Sequence, residues 1–194
     1  MFQVRLHGRG GQGVVTSAEL LSIAAFDEGR HAQAFPSFGS ERMGAPVVAF
    51  CRIDDKEIRL REPVASPDAV VVGDPTLLHS VDLFGGLQPS GYILINSARD
   101  FAGLGMAEFV SGFRPERCAT VPATDIAMRL VGRPLPNAAL LGSLAALTGV
   151  LEIESVVKAI LERFKGAVGN ANAQAAREAF EHVRTSVKER QAIA

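Results

Sequence analysis

The stretch "VRLHGRGGQGVVTSAELL", residues 4–21, constrains the fold more than any other part of the chain. Four glycines fall within Gly8–Gly13, between a strand-like run at 2–6 and a run with apolar residues at Val14, Ala18, Leu21 and Ala25. Steps of four, three and four residues place those side chains on one helical face. A strand, a glycine loop of the form G-x-G-x-x-G and a helix in that order predict an α/β fold.

The rest of the first two thirds of the chain reads as further strands. Short apolar runs bounded by turn residues lie at 31–35, 47–53, 68–74, 92–97 and 117–124, with a helix expected around 75–84. Residues 57–61 alternate apolar and charged side chains after Asp54-Asp55, so we expect a β-hairpin between 47–53 and 57–61. These runs predict a Rossmann-like fold with a mostly parallel sheet, flanked by helices and carrying one β-hairpin.

The remainder is helical. Two buried helices are expected within 138–161, and an amphipathic helix over 170–188 with Phe180, Val183 and Val187 on its buried face. The 194 residues carry no obvious linker, so we expect one domain spanning 1–194.

Composition narrows the possible functions. The net charge of −1 gives no signature of nucleic-acid binding. Two isolated cysteines and histidines without ligand spacing predict no metal or iron–sulfur site in this chain. No nucleophile elbow or other catalytic constellation is present, so we expect no catalytic residue. With no apolar leader and no membrane-length apolar run, a cytoplasmic protein with reduced thiols is expected.

The glycine loop suits a phosphate, because free amides at a helix start attract anions. A P-loop would require Lys after Gly13, but Val14 and Val15 follow. A nicotinamide site would require a carboxylate at the end of the second strand, and none is there. A tight turn that only packs helix on sheet is the alternative. The loop 36–46 should leave the same sheet edge, while Asp74 before Pro75 is expected to cap a helix.

Two segments resemble a known family. "HGRGGQGVVTSAELL" and "AQAFPSFGSERMGAPVVAFCRIDD" are similar to the gamma subunit of the pyruvate (2-oxoacid):ferredoxin oxidoreductases, and looser likeness extends through 140–149 and 170–181. Met43 departs from the polar or charged residue of many relatives, and pyruvate, branched-chain, 2-oxoglutarate and aromatic oxoacids such as phenylglyoxylate stay open as substrates.

The resemblance implies a non-catalytic subunit of an enzyme that oxidatively decarboxylates a 2-oxoacid to acyl-coenzyme A and CO₂. Thiamine diphosphate, Mg²⁺ and [4Fe-4S] clusters would belong to alpha, beta and ferredoxin-like delta subunits, which pass electrons to ferredoxin or another acceptor. This chain would help to bind coenzyme A and to assemble the complex. The implied coenzyme A site comprises Gly8, Arg9, Gly10, Gly11, Gln12, Gly13, Ser37, Ser40, Glu41 and Arg42.

Two other functions stay open on the residues alone. One is a stand-alone dinucleotide-binding oxidoreductase, which the missing ribose carboxylate disfavours. The other is a purely structural scaffold whose glycine loop has no ligand.

Overall fold

The computed structural model describes residues 1–37 and 43–193, with side chains described as far as residue 191. Short 3₁₀ turns at Pro75–His79 and Pro115–Arg117 supplement the regular elements. In chain order the strands and helices are β1 (Phe2–Arg9), α1 (Val14–Asp27), β2 (His31–Pro36), β3 (Pro46–Asp54), β4 (Ala69–Val72), β5 (Tyr92–Asn96), α2 (Ala107–Val110), β6 (Cys118–Val121), α3 (Ala123–Val131), α4 (Asn137–Thr148), α5 (Ile153–Arg163) and α6 (Gly166–Ile193).

The six strands form one mixed sheet in the order β2-β3-β1-β4-β5-β6. The pairs β1–β4, β4–β5 and β5–β6 are parallel, whereas β3 runs antiparallel to both β1 and β2. The buried runs of β4 and β5 suit strands that are covered on both faces. The predicted α/β, Rossmann-like class with a mostly parallel sheet and flanking helices is therefore confirmed.

The predicted position of the hairpin is wrong. The strand β3 pairs with β2, which precedes it in the chain and is joined to it through residues 37–45, and residues 57–61 form no strand. Apolar and charged residues do alternate at 57–61, but the side chains of these residues are mostly exposed, and Leu60 is 40% exposed. The coil that follows is fastened to the sheet by two arginines: Arg52 donates to the Glu62 carbonyl at 2.6 Å and Arg5 to the Val64 carbonyl at 3.4 Å.

One face of the sheet carries α1, α3, α4, α5 and α6 in a continuous core. The helices α1, α4 and α6 contact the sheet, while α5 packs on α1 and α6. This confirms the expected helical C-terminal part and the two buried helices within 138–161. On α6 the expected buried face is correct in part, because Val183 is fully buried whereas Phe180 and Val187 are half-buried at the core margin.

The opposite face of the sheet is covered by irregular chain. Leu77, Leu83, Leu104 and Met106 pack there against β4 and β5. The helix expected over 75–84 reduces to the 3₁₀ turn Pro75–His79, because bends and turns occupy the residues after it. Within residues 1–37 and 43–193, no helix is long and apolar enough to cross a membrane.

Candidate ligand-binding edge of the sheet

Three loops meet at the carboxyl-terminal edge of β1 and β4. They are the glycine loop (residues 8–13), the described part of the β2–β3 connection (Ser37 and residues 43–45) and the turn after β4 (residues 73–76). Gly10 donates its amide to the Ala45 carbonyl at 2.8 Å and accepts from the Gly44 amide at 3.1 Å. The sequence prediction that the first two loops share one sheet edge is thereby confirmed. Carboxyl edges of this kind are where open α/β sheets bind ligands.

Two glycines of the loop have a backbone conformation that other residues rarely adopt. Gly11 has φ +90° and Gly13 has φ +74°. A Cβ on Gly13 would lie 2.3 Å from Nδ2 of Asn137, at the start of α4, so Gly13 also permits close packing. A Cβ on Gly11 would meet only the end of the exposed Met43 side chain, at 2.9 Å.

Several amides of the loop and of the first turn of α1 face no acceptor. Among the residues that the structure describes, the amides of Gly11, Gly13, Val14, Val15 and Thr16 donate no hydrogen bond. Backbone amides at a helix start carry partial positive charge, so this group favours an anion. Gly13 leads into α1 without a side-chain cap.

The two polar side chains of the loop point at one carboxylate. Arg9 Nε lies 3.1 Å from Oδ2 of Asp74, and Gln12 Nε2 donates to the same oxygen at 2.9 Å. Arg9 also donates to Oγ1 of Thr76 at 2.7 Å and to the Gly44 carbonyl at 3.0 Å. The guanidinium charge of Arg9, one of the residues of the implied coenzyme A site, is thus largely neutralised within the protein.

Asp74 has a double role. Its Oδ1 accepts from the Thr76 amide at 2.9 Å, which confirms the capping role predicted from the Asp-Pro sequence. Hydrogen bonds from Thr76 and Gln12 and the charge of Arg9 outweigh burial, the largest single contribution, and lower the pKa of Asp74. The carboxylate is therefore ionised at neutral pH. Its pairing with the glycine loop was not predicted from the sequence.

Of the remaining predicted site residues, Ser37 lies at the same edge, where its amide donates to the Val48 carbonyl at 2.9 Å. Ser40, Glu41 and Arg42 lie outside the described residues. The structure thus brings Ser37 to the same sheet edge as the glycine loop, and the coenzyme A site itself stays a prediction.

One space adjoins the glycine loop, and another lies beside the turn after β4. One, lined by Gln12, Asn137 and Leu140 among others, has a volume of about 20 Å³, enough for a single water molecule. The other is an open cleft of about 430 Å³ lined by Thr76, His79 and Arg99 among others, a volume in the range of small-molecule sites. Sequence reasoning missed this cleft, because Thr76 and Arg99 follow different strands and carry no motif.

His7 lies at the end of β1, just before the loop, and is buried. Burial and, after it, the charge of Arg5 lower the pKa of His7 to about 4, against weaker opposing effects of Asp82 and the Leu83 carbonyl. Its Nε2 is buried and has no partner among the described residues. Among those residues, no three His, Cys, Asp or Glu side chains are grouped to hold a metal ion.

The chain is similar in sequence to members of one known protein family. The profile of the family described as pyruvate ferredoxin/flavodoxin oxidoreductase matches residues 3–182. The pyruvate/ketoisovalerate oxidoreductases common subunit gamma of Thermococcus kodakarensis is 48% identical over 182 residues, which cover 93% of this chain and 96% of that protein.

Two solved structures share the fold. The pyruvate oxidoreductase subunit PORC of Thermotoga maritima is 38% identical, with a TM-score of 0.79 over 93% of this chain and 95% of that one. A 2-oxoglutarate:ferredoxin oxidoreductase of Magnetococcus marinus, solved with 2-oxoglutarate, coenzyme A and succinyl-CoA bound, gives a TM-score of 0.73 at 18% identity. The match covers 97% of this chain and 31% of that longer chain, so there the likeness is one of fold alone.

Proposed function

The chain belongs to the pyruvate ferredoxin/flavodoxin oxidoreductase family as a gamma-type subunit, and on that premise we propose that it supplies part of a coenzyme A site without catalytic groups of its own. The enzyme of which it forms part would oxidise a 2-oxoacid to CO₂ and acyl-coenzyme A. The proposal is carried by one observation: several backbone amides of the glycine loop and of the start of α1 donate to no acceptor among the residues that the structure describes.

The chemistry of coenzyme A fits this edge. Its diphosphate is an anion that free amides and a helix start can bind, and the loop approaches a ligand closely because it lacks side chains at Gly10 and Gly11. The cleft beside Thr76 and Arg99 offers room for a further part of such a long molecule. We include Ser37, Ser40, Glu41 and Arg42 in the proposed coenzyme A site.

The other components follow from the family. Thiamine diphosphate with Mg²⁺ and the [4Fe-4S] clusters would reside in alpha, beta and ferredoxin-like delta partners, and ferredoxin or a similar acceptor would take the electrons. We place the complex in the cytoplasm and treat 1–194 as one gamma-type domain. Co-purification of the tagged chain from its source, with mass spectrometry of its partners, tests this composition. Recovery without a thiamine-binding subunit would contradict it.

We further propose that this subunit does not select the oxoacid. The Thermococcus relative is named as a subunit common to pyruvate and ketoisovalerate oxidoreductases, so in that protein one gamma subunit serves two oxoacids. At the glycine loop of this chain, Asp74 is ion-paired with Arg9 and His7 is buried.

Gly11→Ala in the assembled complex tests the coenzyme A site. The added methyl group would stand on the exposed side of the loop, so we expect the KM for coenzyme A to rise by about tenfold, on the order of one lost charge-assisted contact. The KM for the oxoacid should stay unchanged, because thiamine chemistry takes place elsewhere.

Gly29→Ala is the matched control. Gly29 has φ +75° after α1, at the opposite end of that helix from the loop, and a Cβ there would meet nothing within 4 Å. It therefore carries the same backbone strain without touching the proposed site. If both variants assemble and share one dependence on coenzyme A, the loop is only a packing turn and the scaffold alternative replaces this proposal.

A further inference from the structure

Asp74 holds together the polar part of the sheet edge. One carboxylate oxygen accepts from Arg9 and Gln12 of the glycine loop, and the other accepts from the amide and hydroxyl of Thr76. Its side chain is only 14% exposed. A largely shielded carboxylate that accepts hydrogen bonds from two chain segments fixes their relative position, because leaving any donor unpaired is costly.

Arg9 extends this connection to the third loop. While its Nε faces Asp74, its Nη1 donates to the Gly44 carbonyl and its Nη2 to Thr76. All three guanidinium nitrogens thus have an acceptor inside the protein. Gln12 completes a ring of contacts, since its Oε1 accepts from the Arg9 amide at 2.7 Å. These contacts set the shape of the loop before any ligand arrives.

We propose that Asp74 is a positioning residue for the anion site of the glycine loop, acting through Arg9 and Gln12 and making no contact with the ligand. The proposal rests on the proposed function, because the anion in question is the diphosphate of coenzyme A. Arg9 then serves as the connection between the three loops, and the backbone amides provide the donors to the ligand.

The two roles of the Asp74 carboxylate predict opposite effects of Asp74→Asn on anion binding. Its negative charge repels the anion, whereas its hydrogen bonds position the glycine loop. Removing the negative charge would strengthen anion binding, by about twofold for each negative charge on the ligand at a separation of ~8 Å in water. Loss of the ion pair would free Arg9 and Gln12 and let the loop sample other shapes, which weakens binding. Because the carboxylate is largely shielded and has four internal donors, we expect the second effect to dominate.

The test is a double-mutant cycle in the assembled complex, with the Kd of coenzyme A measured for Asp74→Asn, Arg9→Gln and the double variant. We expect Asp74→Asn to weaken binding about tenfold and to add little in the Arg9→Gln background, since both act through one connection. The KM for the oxoacid should not change. Asp82→Asn is the control, because Asp82 likewise accepts a backbone amide, that of Gly85 at 3.0 Å, but does not contact the glycine loop.

Hydrogen exchange supplies an independent readout. Peptides covering residues 8–13 and 43–45 should exchange faster in Asp74→Asn than in the control. Unchanged or tighter binding of coenzyme A by Asp74→Asn, with Gly11→Ala still impaired, overturns the positioning role and leaves the coenzyme A site standing. If Gly11→Ala is also unimpaired, the coenzyme A site itself is refuted, and the role of Asp74 with it.

Discussion

Acidification should destabilise the chain through His7, and the size of the effect can be worked out from its environment. His7 is buried at the end of β1, and burial together with the charge of Arg5 lowers its pKa to about 4. In the unfolded chain the imidazole would titrate near its ordinary pKa of about 6.5. Between these two values the unfolded state binds a proton that the folded state does not.

The sign follows from this difference. A histidine whose pKa is lowered on folding contributes its full stability above pH 6.5, and that stability is lost as the pH falls towards 4. The whole difference is worth on the order of 3 kcal/mol, and about 2 kcal/mol of it should be lost between pH 7.5 and pH 5. Losses of this size are a substantial part of the stability of a typical domain.

His7→Phe isolates the effect, because phenylalanine has a similar shape and no titrating group. The free energy of unfolding of the full chain is measured by urea titration at pH 7.5 and at pH 5. The loss between the two pH values should be smaller by about 2 kcal/mol in His7→Phe than in the parent chain. Carboxylates titrate in both proteins, so they cancel in the comparison. Equal losses in the two proteins would show that His7 is not a buried neutral base.

Three further outcomes are expected. Gly142→Ala should destabilise the chain by about 3 kcal/mol or more, measured by thermal unfolding, since its Cβ would stand 2.0 Å from the Ala176 carbonyl where α4 crosses α6; a near-neutral change would contradict that crossing. Phe180→Ala should cost about 2 kcal/mol, less than a core phenylalanine, because its ring is half-buried. The purified chain alone should contain no stoichiometric iron and should reduce no dye with a 2-oxoacid; either activity or iron would contradict a non-catalytic subunit.

The order of the elements could be read from local patterns, but the pairing of one strand could not. Local sequence patterns indicate how their own segments are buried, as they do for the glycine loop, the apolar face of α1 and the apolar runs of β4 and β5. The alternation of apolar and charged residues at 57–61 fits the local pattern of a strand, but no strand of the described sheet pairs with this segment. The strand β3 lies between β2 and β1 instead, where Arg52 is 1% exposed and is satisfied by Gln3, Gln33 and the Glu62 carbonyl. A buried arginine satisfied by distant partners leaves no local signal.

The features of the candidate site also divide into those that local sequence predicts and those that it does not. The cap at Asp74 was predictable, because a capping residue and its amide lie two positions apart. The pairing of Asp74 with Arg9 joins residues separated by 65 positions, and it depends on β4 lying beside β1. The strands β1 and β4 are neighbours because the chain crosses over after β3 and places β4 on the other side of β1. Local sequence does not specify this crossover.

The glycines of the loop serve two different purposes, and this decides which of them can report on a ligand. A Cβ on Gly8 would lie 2.6 Å from Cγ2 of Val14, and one on Gly13 would lie 2.3 Å from Asn137, so these two allow α1 and α4 to pack closely. Substituting either would disturb packing whether or not a ligand binds. Among the residues that the structure describes, a Cβ on Gly11 would meet only the flexible, exposed side chain of Met43, so its positive φ is the one requirement for glycine that these residues show there. A defect in coenzyme A binding at Gly11 that exceeds the strain measured at a control glycine is therefore evidence for a ligand at this edge.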